Sequence, residues 1–267
     1  CLALVLVILV LARPQTTNKW QNSEIEGIDI MLAIDVSTSM LAEDLKPNRL
    51  EAAKDVAAEF INGRPNDNIG ITLFAGETFT QCPLTVDHAV LLDMIHNIKC
   101  GLITDGTAVG MGIANAVTRL KDSKAKSKVI ILLTDGTNNK GDISPMTAAE
   151  IAKSFGIRVY TIGVGTNGMA PYPYPVGNTV QYVSMPVEID EKTLTEIAGT
   201  TDGNYFRATS NSKLKEVYEE IDKLEKTKLN VKEYSKRDEE YHWFALAAFL
   251  CVLLEVLLRN SVLKKIP

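Results

Sequence analysis

The sequence has few of the residues on which several common functions depend. Only three histidines occur, His88, His96 and His242, and no readable spacing links them to a serine or cysteine. A hydrolytic triad therefore has no support. The 28 lysines and arginines are outnumbered by 33 acidic residues and form no basic stripe with interleaved aromatics. Nucleic-acid binding is accordingly not expected.

The sequence also lacks an internal repeat. Its 267 residues carry a net charge of −5 and are 46% hydrophobic. This is enough for one large core with attached segments.

Cysteine is scarce, and the four that occur fall into two pairs. Cys1 and Cys251 lie in apolar ends of the chain, whereas Cys82 and Cys100 lie in the polar middle. A disulfide between Cys82 and Cys100 and a pair of buried free thiols are both open, because their distance in space does not follow from the sequence.

The first apolar run extends from Leu2 to Ala12. It is shorter than the roughly 20 residues that cross a membrane, so we interpret it as the end of a span that begins before Cys1. A lipid-modified Cys1 is the alternative.

The second apolar run extends from Trp243 to Leu258, with aromatic residues before it and Arg259, Lys264 and Lys265 after it. This order predicts a membrane span whose C-terminus is cytoplasmic, which places the middle of the chain outside the cytoplasm. A buried amphipathic helix is the alternative, because the run is short and contains Glu255.

Between these ends, short apolar runs alternate with segments of helical periodicity. We predict strands at 28–34, 69–75, 128–133, 157–162 and 204–207, a hairpin strand at 77–81, and helices at 47–61, 87–98, 107–120, 145–155, 190–198 and 213–224. Alternating strands and helices predict an α/β fold with a doubly wound, mostly parallel sheet.

The segment 166–186, rich in tyrosine and proline, interrupts this alternation and is expected to be an exposed excursion. It is either a contact surface or a passive insertion. The preceding glycines, Gly163, Gly165 and Gly168, match a dinucleotide-binding pattern, but the chain then runs into prolines instead of a helix. We therefore expect no nucleotide there.

Three loops at the expected carboxyl ends of strands carry oxygen ligands: Asp35 to Ser39, Thr104 to Thr107, and Thr134 to Gly136. Ligands of such sheets bind at this edge. Two carboxylates with several hydroxyls suit Mg²⁺, with Mn²⁺ or Ca²⁺ as alternatives, and zinc is not expected. The first loop by itself would also be typical of a helix cap or turn.

The pattern Asp-x-Ser-x-Ser, a distant Thr and a strand ending in Thr-Asp-Gly resembles the metal-ion-dependent adhesion site (MIDAS) of von Willebrand factor A (VWA) domains. The resemblance implies a Rossmann-like VWA fold and a site made of Asp35, Ser37, Ser39, Thr107 and Asp135. It implies that the three hydroxyls are ligands, that the two carboxylates bind directly or through water, and that a partner's carboxylate completes the coordination.

Further segments resemble the bacterial membrane-anchored Bat proteins, which are associated with aerotolerance and with MoxR-type AAA+ ATPases. They are Ala12 to Gln15, Ser37 to Met40, Lys46 to Leu50, Phe79 to Leu84 and the late apolar run. The resemblance implies an inner-membrane protein whose VWA domain faces the periplasm, with other Bat-type proteins or the MoxR-type system as partners.

The chain is thus expected to comprise a partial span and linker at 1–24, a VWA domain at 25–228, a juxtamembrane stalk at 229–241, and a span with a short cytoplasmic tail at 242–267. The expected function is that of a Mg²⁺-dependent protein-binding module, acting as a scaffold or assembly factor in the bacterial envelope.

Two other functions compete with this interpretation. A strand that ends in Asp also resembles haloacid dehalogenase-type phosphohydrolases, but their second Asp is replaced here by Ser37, which leaves no evident proton donor. A subunit of a channel or transport complex is the second, although two spans alone cannot form a pore. We expect no enzymatic activity.

Overall fold

A computed structural model describes residues 15–16, 27–166, 168–176, 179–232, 238–239 and seven positions between 245 and 257. The chain divides into two compact units, one of residues 24–230 and one of residues 1–23 with 231–267. In the second unit, the two-residue strands Gln15–Thr16 and Asp238–Glu239 pair antiparallel.

None of the helices within the described residues is long and apolar enough to cross a membrane. The two predicted spans, the apolar runs 2–12 and 243–258 in the segments 1–24 and 242–267, lie largely outside the described residues.

The larger unit contains a six-stranded sheet made of β1 (Asp29–Asp35), β2 (Asn68–Phe74), β3 (Thr78–Thr85), β4 (Lys128–Thr134), β5 (Ile157–Val164) and β8 (Tyr205–Ala208). The strand order is β3-β2-β1-β4-β5-β8. All neighbours are parallel except β3, which runs antiparallel to β2, so the predicted doubly wound, mostly parallel sheet is confirmed.

Helices cover both faces of this sheet because alternate side chains of its buried strands point to opposite sides. From β1, Ile30, Leu32 and Ile34 enter one core, and Met31 and Ala33 enter the other. The first core includes α1 (Arg49–Asn62), α2 (His88–His96) and α6 (Asn211–Lys232), and the second includes α3 (Val109–Leu120), α4 (Pro145–Ser154) and α5 (Glu191–Thr200).

Helix α6 ends at Lys232 and not at residue 224, where the apolar periodicity stops. The additional residues include lysine, glutamate and leucine, which favour helix without an apolar stripe.

The Tyr/Pro segment is not a loop but an antiparallel hairpin of β6 (Met169–Val176) and β7 (Thr179–Pro186). Prolines occupy alternate positions of β6, although proline has no N–H to donate to a neighbouring strand. The carbonyl of Pro171 accepts from the Glu43 N–H at 2.8 Å, so its backbone faces away from β7. The prolines at 173 and 175 share this orientation, and the missing N–H groups therefore cost the hairpin no hydrogen bonds.

Candidate metal centre

The first loop of the site folds back on the end of β1. Asp35 is the last residue of that strand, and Asp35 Oδ1 accepts from the Ser37 N–H at 2.9 Å and from Ser37 Oγ at 2.6 Å. The other carboxylate oxygen accepts from Thr134 Oγ1, at the end of β4, at 2.6 Å. Hydrogen bonds from Ser37 in the following turn and from Thr134 of the neighbouring strand thus hold both carboxylate oxygens in place.

A chain of short contacts joins this loop to Asp135. Ser37 Oγ lies 3.0 Å from Ser39 Oγ, which in turn donates to Asp135 Oδ1 at 2.7 Å. Four of the five predicted site residues are therefore brought together, although Asp135 is 96 residues from Ser39 along the chain.

The fifth residue, Thr107, precedes α3 and lies beside the β4 loop. Its N–H donates to Asn139 Oδ1 at 2.9 Å, and a Cβ placed on Gly136 would be 3.3 Å from Thr107 Oγ1. Gly76 permits the approach of the Thr107 loop, because a Cβ there would be 2.7 Å from the Asp105 carbonyl oxygen. The hydroxyl of Thr107 is thus beside the turn that follows Asp135.

Burial differs sharply among the five residues. Asp35, Asp135, Ser37 and Thr107 are at most 4% exposed, whereas Ser39 is only partly buried. The cluster therefore meets solvent on the side of Ser39.

Arg49, in the first turn of α1, was missed as a site residue. Its Nη1 donates to Asp135 Oδ2 at 2.7 Å, while Nε and Nη2 donate to the two oxygens of Asp44 at 2.8 and 2.7 Å. No local sequence signal indicates it, because its pairing with Asp135 joins residues that are 86 apart in the sequence.

Asp44 extends this network to the base of the hairpin. It accepts from the N–H and the hydroxyl of Thr166, at 2.8 and 3.1 Å. Gly165 makes room for Arg49, since it has a φ of +143° and a Cβ there would lie 2.8 Å from Arg49 Nη2. The hairpin base is therefore connected to Asp135 through two buried charged side chains.

The two central carboxylates have raised pKa values. Burial is the main reason that the pKa of Asp35 is raised to about 7, and the charge of Asp135 adds to it, against hydrogen bonds from Ser37 and Thr134. Burial likewise raises the pKa of Asp135, although Arg49 and Ser39 oppose the shift. Two ionised carboxylates that are buried together destabilise the fold unless a cation lies near them.

Two further residues border the cluster. Asp105 accepts from the N–H and the hydroxyl of Thr38 at 3.0 and 2.9 Å, and so joins the second loop to the first. Cys100 Sγ donates to the Ser37 carbonyl at 3.4 Å, and burial followed by the charges of Asp35 and Asp135 raises its pKa to about 12. Cys82 and Cys100 are both free thiols, which excludes a disulfide between them in this structure.

The family follows from a comparison with known sequences. The sequence model of the von Willebrand factor type A domain matches residues 29–220. The chain belongs to this family. This match confirms the resemblance drawn from the loop motifs.

Two solved structures are similar to this VWA protein at 34% sequence identity. One is an aerotolerance-related membrane protein from Bacteroides fragilis, which aligns over 74% of this chain and 100% of its own, with a TM-score of 0.64. The other is BatB from Bacteroides thetaiotaomicron, which aligns over 75% of this chain and 100% of its own, with a TM-score of 0.66. The similarity to Bat proteins is thus confirmed.

A third structure bears on metal binding in VWA domains. Proximal thread matrix protein 1 of the mussel byssus is 25% identical, aligns over 74% of this chain and 46% of its own, and has a TM-score of 0.59. Its MIDAS motif is occupied by zinc.

The residues of this VWA domain fit a hard cation. The described part of the chain has no group of three or more His, Cys, Asp or Glu side chains that could hold a metal ion. A cation at Asp35 and Asp135 would lie beside the hydroxyls of Ser37 and Ser39, which are within hydrogen-bond distance of these carboxylates. Such an all-oxygen set is typical of Mg²⁺ sites.

A cavity of about 250 Å³ lies between the first loop of the VWA domain and the hairpin. Among the described residues, it is lined by Thr38, Ser39, Ala42, Arg49, Ala170, Tyr172, Tyr174, Met185, Pro186 and Val187. The first loop, Asp35 to Ser39, which we call the metal loop, thus shares one concave surface with the Tyr/Pro hairpin.

Proposed function

We propose that this protein is a membrane-anchored, Mg²⁺-dependent protein-binding module that acts as a scaffold or assembly factor in the bacterial envelope. The observation that carries the proposal is the cluster of two buried carboxylates and neighbouring hydroxyls that meets solvent at Ser39.

In this proposal Ser37, Ser39 and Thr107 supply hydroxyl ligands, and Asp35 and Asp135 bind directly or through water. When bound, Mg²⁺ supplies a positive charge that attracts an acidic side chain of the partner. Mg²⁺ is preferred over zinc because no histidine or cysteine belongs to the set, and Mn²⁺ or Ca²⁺ would suit the same oxygens.

The charge balance favours an additional carboxylate. Asp35, Asp44 and Asp135 carry three negative charges when ionised, and Arg49, which donates to Asp44 and Asp135, carries one positive charge. The two negative charges that remain would balance a divalent cation, and the hydroxyls are neutral. The shell therefore has no surplus negative charge to repel an acidic partner.

A non-enzymatic role is part of the proposal. A phosphohydrolase of the haloacid dehalogenase type needs a second carboxylate two positions after the first, to transfer a proton. That position is Ser37, whose hydroxyl donates to Asp35.

The proposed location is the bacterial inner membrane, with the VWA domain in the periplasm. One similar structure is named a membrane protein. Large apolar residues described in the late run are 44–65% exposed, as expected of side chains that contact lipid: Leu246, Phe249, Leu250, Leu253, Val256 and Leu257. Other Bat-type VWA proteins and a MoxR-type AAA+ system are the proposed partners.

Crosslinking in the native membrane, with and without Mg²⁺, tests the function. We expect Thr107→Val to lose the Mg²⁺-dependent captured proteins, because it removes a ligand hydroxyl at nearly constant volume. Thr118→Val, at an exposed position of α3, is the matched control. Capture that is indifferent to Mg²⁺ and to Thr107→Val would contradict the proposal, as would Mg²⁺-dependent phosphatase turnover by the same preparation.

A further inference from the structure

We infer that the cavity between the metal loop and the hairpin is a second recognition subsite, which takes a large apolar side chain of the partner within two residues of its metal-bound carboxylate. This inference rests on the proposed function and specifies the partner as a segment with an acidic residue close to a leucine, methionine or phenylalanine.

The position of the cavity is the first reason. Ser39 is the only one of the five site residues that is not buried, and Ser39 also lines the cavity. The solvent opening of the metal centre and the cavity are therefore one continuous surface. A segment that reaches the metal at Ser39 passes next to the hairpin.

The chemistry of the lining is the second reason. From the hairpin side the cavity is formed by apolar and aromatic residues, with Tyr174 at 57% and Met185 at 48% exposure. No carboxylate occurs among the described residues that line it. Its one charged residue, Arg49, already donates to Asp44 and Asp135. The rest of the described lining carries no charge and therefore favours an apolar side chain over a charged group.

The size of the cavity agrees with this occupant. Its volume is about 250 Å³, and a dry apolar cavity of roughly 150 Å³ is large enough for benzene. One leucine, methionine or phenylalanine side chain therefore fits.

The hairpin side of the cavity is also held in place. Glu43, next to the metal loop, donates its N–H to the Pro171 carbonyl at 2.8 Å, and Thr166 donates to Asp44. The Val187 N–H donates to the Gly168 carbonyl at 2.8 Å and closes the base of the hairpin. A preformed pocket needs less ordering on binding, which favours its use in recognition.

The spacing follows from the geometry of an extended chain. Side chains of residues i and i+2 point to the same side, about 7 Å apart. An acidic residue at the metal and an apolar residue two positions away can therefore reach both subsites from a single segment.

The test uses the 267-residue chain and a displayed library of seven-residue peptides with a fixed central Asp, selected with Mg²⁺ and with EDTA. We expect Mg²⁺-dependent enrichment of large apolar residues within two positions of the Asp. Synthetic versions of the enriched peptides should lose about tenfold or more in affinity when the apolar residue is replaced by Ser.

Matched variants connect that preference to the cavity. Tyr174→Ala and Met185→Ala should each abolish most of the difference between the apolar and Ser peptides. Val180→Ala and Met169→Ala, at hairpin positions that do not line the cavity but are 57% and 58% exposed, should preserve it. Mg²⁺ binding, measured by calorimetry, should be unchanged in all four.

Three results overturn the inference. Mg²⁺-dependent binding of Asp peptides with no apolar preference would refute the subsite and leave the proposed function intact. An apolar preference unaffected by Tyr174→Ala and Met185→Ala would place that contact elsewhere. Enriched Asp peptides that bind equally well with Mg²⁺ and with EDTA, and no better than versions in which the Asp is replaced by Asn, would contradict the proposed function and the inference together.

Discussion

Arg49 Nη1 donates to Asp135 Oδ2 at 2.7 Å, with the two side chains 4% and 0% exposed. Arg49 is also paired with Asp44, whose side chain is 3% exposed. One guanidinium therefore bridges two buried carboxylates, one in the metal centre and one at the base of the hairpin.

Removal of this arginine should be strongly destabilising. Arg49→Met leaves Asp44 and Asp135 buried without their cation, so we expect a loss of about 3–5 kcal/mol in the free energy of unfolding. Arg49→Lys should recover only part of it, because an ammonium cannot reproduce the fork that binds both oxygens of Asp44.

Urea unfolding of a double-mutant cycle checks this prediction. Asp44→Asn in the Arg49→Met background should cost less than Asp44→Asn in the wild type, because the pair is already broken. Additive losses would mean that the two side chains are not coupled.

Gly165 lies beside Arg49 in a backbone conformation that favours glycine. Gly165→Ala places a Cβ 2.8 Å from Arg49 Nη2 at a φ of +143°, so we expect it to destabilise the domain by about 1–3 kcal/mol. Gly199→Ala is the control, since Gly199 lies in α5 and a Cβ there has no heavy atom within 4 Å. It should stabilise the helix by about 0.5–1 kcal/mol. Equal thermal melting temperatures for the two variants would contradict the strain at Gly165.

A buried polar network near the amino ends of β4 and β5 predicts that the free energy of unfolding depends on pH. Glu225 of α6, 1% exposed, accepts from Ser127, Arg158 and Tyr160. Burial raises the pKa of Glu225, but hydrogen bonds and the charge of Arg158 outweigh it and hold the pKa below its usual 4.5. Because the folded pKa is the lower one, this stabilisation is complete above pH 4.5 and is lost as the pH falls through the folded pKa.

The variant Glu225→Gln tests that contribution. At pH 7 it should lower the free energy of unfolding by about 1–3 kcal/mol, because Arg158 loses its anionic partner. The difference from wild type should narrow as the pH falls below 4.5 in urea titrations. A difference that is constant from pH 7 to pH 3 would contradict the assignment.

The sequence predicted the layers of the fold well because its strands are nearly continuous apolar runs. β4, for example, reads Lys-Val-Ile-Ile-Leu-Leu-Thr, as a strand covered on both faces should. The hairpin was not predicted as strands, because alternate prolines oppose a strand unless one of its edges is unpaired. That condition is a property of the tertiary structure.

The five proposed site residues could be named because their local motifs resemble the metal site of a known family, and the structure places these residues in neighbouring loops. Arg49 and Asp44 could not be assigned, because their pairing with Asp135 and Thr166 depends on how α1 packs across the ends of β1, β4 and β5. Arg49 and Asp135 are 86 residues apart in the sequence, and Asp44 and Thr166 are 122 residues apart, so no local motif links either pair.

Calorimetric titration of Mg²⁺ into the 267-residue chain tests the central claim most directly, with Asp35→Asn and Asp105→Asn compared as isosteric changes. Asp105 contacts Thr38 but is outside the proposed ligand set. The account predicts one Mg²⁺ site in the wild type, its loss in Asp35→Asn and its retention in Asp105→Asn. Unchanged Mg²⁺ binding by Asp35→Asn, or its absence in the folded wild type, would contradict it.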